Sequence, residues 1–127
     1  MNAALWILQS LMALLFIYSG ICKSFLPKQK LIALGQTGVE DLSPAMIHFI
    51  GITEILGGIA LILPIWLDIV PVLTPVAALC LSIIMILASR VHYKRHEYKT
   101  VFMNCVLFAM CIFIFYGRLW LSHGRNE

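Results

Sequence analysis

Glu54 is the residue of this 127-residue chain with the strongest claim to chemistry. It lies within the apolar run Ala45 to Leu63, where an ionised side chain costs about 2.5 to 3.5 kcal/mol on insertion scales, so it should face protein and have a partner. Gly51, Glu54 and Gly58 fall at i, i+3 and i+7, which places the carboxyl on a helix face whose glycines let a neighbour come close. Similar stripes run along the other apolar segments: Gln9, Ala13, Phe16, Gly20 and Lys23 on one, Ala78, Ser82, Met85, Ser89 and His92 on another, Asn104, Phe108, Cys111, Phe115 and Arg118 on a third. In antiparallel helices Lys23, His48, His92 and Asn104 share one half of the bundle, with Glu54 deeper. A carboxyl beside an amine and an imidazole can hold a proton or steady charge on a small ligand, which Asn104 would orient. Lys23, Glu54, His92 and Asn104 are therefore the ligand or proton-site candidates, and His48, Ser89 and Cys111 are secondary ones. The same groups could instead serve only to join helices by hydrogen bonds, with Lys23 reaching out to the interface; catalytic roles stay unassigned.

Other chemistries find little footing. Cys22, Cys80, Cys105 and Cys111 form no C-x-x-C pair, and isolated cysteines are usually small buried hydrophobes. His92 and His96 have metal-ligand spacing, but Lys94 and Arg95 between them oppose a cation, so no metal site is expected. Nucleotide-binding loops, nucleophile elbows and haem-attachment motifs are absent from the sequence, and no cofactor is evident. The formal charge of +3 does not point to nucleic acid, because the basic residues sit beside apolar runs.

The elements that must position these residues follow from hydropathy. Apolar residues make up 61% of the chain and charged residues 12%, and the apolar ones come in long uninterrupted blocks. We expect an all-α integral membrane four-helix bundle, one domain over 1–127, with spans at about 3–24, 45–63, 72–92 and 100–119. Each approaches the roughly twenty residues that cross hydrocarbon. The first run has no positive charge ahead of it and is read as an uncleaved span. Ser43-Pro44 and Thr74-Pro75 each pair a capping side chain with a proline suited to a first helical turn. The stretch between Pro64 and Pro75 reads as interfacial backbone, and loop one, from Pro27 to Ser43, as a surface helix or a flexible cover.

Lys23, Lys28 and Lys30 follow the first span, and Arg90, Lys94, Arg95 and Lys99 precede the fourth; Arg118 and Arg125 in the tail oppose them. The positive-inside rule then puts loops one and three in the cytoplasm and both termini outside, with Trp6, Trp66 and Trp120 forming an aromatic belt on the outer side.

The ordered set Gly20-Ile21-Cys22-Lys23, Gly51-Ile52-Thr53-Glu54, Thr74-Pro75 and His92, with Leu61-Ile62-Leu63-Pro64, resembles the DoxX-like family of small four-span membrane proteins over nearly the whole chain. The resemblance implies an inner-membrane protein and carries Lys23, Glu54 and His92 over as the family's polar positions, whereas Asn104 rests on helix spacing alone. Family members are associated with quinone-linked thiosulfate oxidation, membrane redox-defence complexes and, in related animal proteins, receptor assembly. Two expectations follow: a quinone-linked or redox-associated subunit or small-ligand binder, or a non-catalytic assembly partner that docks other membrane proteins. Its surroundings would be the lipid bilayer, other membrane or redox subunits, or further copies in a homo-oligomer. Whether it is an enzyme stays open.

Overall fold

The computed structural model describes residues 2–125, with side chains through Ser122. Four helices are long and apolar enough to cross a membrane: α1 (Asn2–Phe25), α3 (Pro44–Ala60, carried on by the short α4, Leu63–Trp66), α5 (Leu73–Lys94) and α6 (Tyr98–Arg125). A small helix, α2 (Lys28–Ala33), lies in loop one, and no strand occurs among the described residues. α1 packs along α3 and α5 along α6, while lighter α3–α5 and α1–α6 contacts close the ring.

The exterior is apolar, with Phe102, Trp66 and Trp120 all about 70% exposed or more. Water would strip such a surface into aggregates; lipid accepts it. The core between the helices is filled by Leu5, Met12, Phe16, Leu81 and Ile114. The α1–α3 seam is unusually close because it is built on glycine. A Cβ on Gly20 would sit 2.4 Å from the Gly51 carbonyl oxygen, and one on Gly58 would sit 2.6 Å from Cγ1 of Ile17. Small residues at such crossings let backbones approach where lipid supplies no hydrophobic drive.

α3 opens as its sequence suggests: Ser43 accepts a hydrogen bond from the Met46 amide at 3.2 Å, and Pro44 fills the first turn. Thr74 corrects the parallel expectation. α5 starts two residues before Pro75, at Leu73, and the Thr74 hydroxyl donates to the Ala60 carbonyl at 2.8 Å. It satisfies an end carbonyl of α3 that the α3–α4 break leaves open. Loop one carries the short helix α2 and packs onto the bundle end, with Leu31 and Val39 buried against Cys22 and Ile47. Arg118, counted with the tail by charge, is buried inside α6, and the side chain of Arg125 lies outside the described residues.

Candidate functional site

Two polar layers sit at opposite ends of the bundle. At the end bearing loops one and three, Lys23 Nζ donates to Glu54 Oε1 at 2.5 Å. The Lys23 side chain is 15% exposed and that of Glu54 only 3%. The α1–α3 glycine seam makes this pair possible. Lys23 Cβ lies within 2.9 Å of where a Gly51 Cβ would be, so the lysine stem crosses the bare backbone of Gly51 and points down α3 to Glu54, one turn deeper. The ammonium thus runs into the bundle, against the outward reach usual for lysine near a helix end.

Asn104 is buried on α6, and its side-chain nitrogen, like the buried Ser24 hydroxyl, has no hydrogen-bond partner among the described residues. Ser24 Oγ stands 2.8 Å from the position of a Gly51 Cβ, hence beside the lysine stem. No hydrogen bond among the described residues joins Asn104 to the ion pair. Ser89 is half-buried, His48 is exposed on α3, and Cys111 is fully buried in the apolar core.

His92 does not turn to the pair. Its Nδ1 meets Glu97 Oε1 at 2.9 Å, and its ring lies against Gly38 of loop one, where a Cβ would come within 3.2 Å of Cε1. Glu97 also accepts from the Thr37 hydroxyl and from Arg95 Nε, and Arg95 Nη2 donates to Glu40. Loops one and three are therefore clasped over this end of the bundle. The Thr37 hydrogen bond, followed by that of His92, holds the Glu97 carboxyl below its ordinary value, and the Glu40 carboxylate raises Arg95. Sequence alone does not reveal this clasp, whose Thr37–Glu97 contact joins residues sixty apart.

The second layer is also missed by the site candidates, although Gln9 and Arg118 each lie on a polar stripe. Arg118 Nε donates to Gln9 Oε1, Arg118 Nη1 donates to Asn2 Oδ1 at 2.7 Å, and the guanidinium carbon stands 4.9 Å from the Trp6 ring centre. Gln9 Nε2 in turn donates to the Leu61 carbonyl. The signal available was the alignment of Arg118 with Asn104, Cys111 and Phe115 on one face, outweighed by its nearness to the chain end.

Four apolar helices around a buried ion pair from two of them define a small four-span membrane protein. Residues 7–114 match the DoxX-like family, and the chain belongs to that family. No curated protein and no solved structure matches it.

Proposed function

We propose that this protein is a membrane subunit of a quinone-linked or redox-associated system, with Lys23, Glu54 and Asn104 receiving the polar head of a small ligand. The observation that carries this reading is the inward-pointing Lys23: a buried charge pair costs several kcal/mol per ion to desolvate, a cost that helix packing alone does not require. Orphaned buried polar atoms fit a small polar guest. The Ser24 hydroxyl and the Asn104 nitrogen are both buried without partners, and each could donate to a ligand oxygen. A bound quinone would supply the electron-accepting chemistry. Lys23 would steady negative charge on an oxygen, Glu54 would hold or release a proton, and Asn104 would orient the head. We place the protein in the inner membrane with loops one and three in the cytoplasm.

Asn104→Leu tests this reading. Its nitrogen has no partner, so replacement by an apolar residue should leave stability near wild type while removing a ligand contact. Quinone should co-purify with the wild type in mild detergent and fall severalfold in the variant. Equal quinone in both, or none in the wild type, would refute the proposal.

A second reading is favoured by one observation. Lys23 and Glu54 satisfy each other directly at 2.5 Å, and the clasped loops form a joined polar surface above them. A non-catalytic assembly partner would use that surface to dock another membrane protein. Disruption of the clasp by Glu97→Gln would then abolish complex formation while leaving any bound quinone unchanged.

A further inference from the structure

Beyond the ion pair, at the far end of the bundle, α4, the turn after it, the start of α5 and the end of α6 enclose an open cavity of about 240 Å³. Its walls include apolar Ile65, Val72 and Leu119, together with Arg118, Asp68 and Ser122. Arg118 is 4% exposed, and Gln9, Asn2 and the Trp6 ring hold its guanidinium in one orientation at this wall. Asp68 is exposed at the opening. It is held at φ 55°, a backbone region that Asp and Asn adopt far more readily than most residues.

Depth locates the cavity. Arg118 is twenty residues along α6 from Tyr98, roughly 30 Å at helical rise, which equals the hydrocarbon thickness. Trp66 and Trp120, both largely exposed, flank it as aromatic residues do at the headgroup level.

A fixed cation on one wall, a carboxylate at the mouth and apolar walls between them are complementary to a headgroup carrying a phosphate and a primary amine. We infer that this cavity binds a zwitterionic phosphoethanolamine headgroup, the phosphate toward Arg118, the ammonium toward Asp68 and the upper acyl chain against Ile65, Val72 and Leu119. The site is separate from the Lys23–Glu54 pair, and neither reading depends on the other. Charge-assisted contacts at both ends of the headgroup are what distinguish it from an anionic lipid, which Asp68 would repel.

The test uses the full chain, delipidated in a mild detergent and titrated with phosphatidylethanolamine, phosphatidylglycerol or soluble phosphoethanolamine, read by native mass spectrometry and thermal shift. Phosphatidylethanolamine should bind about tenfold tighter than phosphatidylglycerol, and Asp68→Asn, which suits the same backbone conformation, should level the two. Val72→Trp should fill the cavity and abolish binding while leaving the lipid-free thermal midpoint unchanged, since Val72 is exposed and outside the Arg118 network. Equal binding of both lipids, or an unaltered preference in Asp68→Asn, would overturn the inference. Soluble phosphoethanolamine protecting as well as the lipid would overturn its lipid source.

Discussion

Lys23 reaches Glu54 across Gly51: the lysine stem lies on the only residue type that leaves it room, and the carboxylate receives it one helical turn deeper. Packing and electrostatics are thus coupled in one seam, since any side chain at position 51 would push α1 away and pull the ammonium from its partner. Such a pair contributes little net stability when intact, because desolvation offsets attraction, but it becomes costly when halved.

The first prediction follows from that asymmetry. Lys23→Met leaves Glu54 buried without its cation, and Glu54→Leu leaves Lys23 likewise, so each single variant should lose roughly 3 to 5 kcal/mol if the remaining group stays charged. The double variant Lys23→Met/Glu54→Leu should recover most of that loss. Unfolding in mixed detergent micelles measures all three. A double variant no more stable than the singles would mean the two groups are not energetically paired.

A second expectation concerns pH and the clasp over the same end. Glu97 is held below its ordinary value of 4.5, first by the Thr37 hydroxyl and then by His92. A carboxyl depressed in the folded state stabilises fully above its unfolded value, and that contribution is lost as pH falls through the lower folded value. The clasp should therefore be closed at neutral pH and loosen only on acidification below about 4.5. Amide protection factors in residues 28–42, corrected for the intrinsic pH dependence of exchange, should fall over that acid range, and Glu97→Gln should lower protection at neutral pH and flatten the dependence. Protection that falls on moving from neutral to alkaline pH, or an unchanged protection profile in Glu97→Gln, would contradict it.

Much of this arrangement was legible in the chain because helical periodicity survives in sequence. Gly51, Glu54 and Gly58 declare a shared face by spacing alone, and four apolar blocks declare four spans. Relative register between helices is not written locally. Depth counted from Pro27 and Pro44 puts Lys23 and Glu54 about 9 Å apart along the membrane normal, yet Lys23 lies beside Gly51, only three residues or about 4.5 Å from Glu54. The two side chains therefore meet directly. His92 looked like a member of the same layer because it ends α5 near it, but its imidazole found Glu97, five residues on around a turn. That turn depends on His96 at φ 59°, a conformation that no hydropathy pattern announces. Arg118 shows the opposite failure: its position near the end suggested orientation, while burial gave it a structural network.

The last prediction concerns membrane orientation, and the structure sharpens the charge count on which it rests. Lys23 is committed to Glu54 and Arg118 to Gln9 and Asn2, so neither is a loop charge. Lys28, Lys30, Arg90, Lys94, Arg95 and Lys99 remain on the side of loops one and three, against Arg125 alone on the other. The bias is still strong in loops this short, and from the positive-inside rule we predict a cytoplasmic location for them. All four native cysteines are free, so the experiment needs a background in which they are replaced. In that background a membrane-impermeant thiol reagent should label Asp68→Cys on intact cells and Gln36→Cys only after permeabilisation. Both positions lie outside the four long helices and report on opposite ends of the bundle. Labelling of Gln36→Cys on intact cells, with Asp68→Cys protected, would invert the topology and move the Lys23–Glu54 pair to the outer half of the membrane.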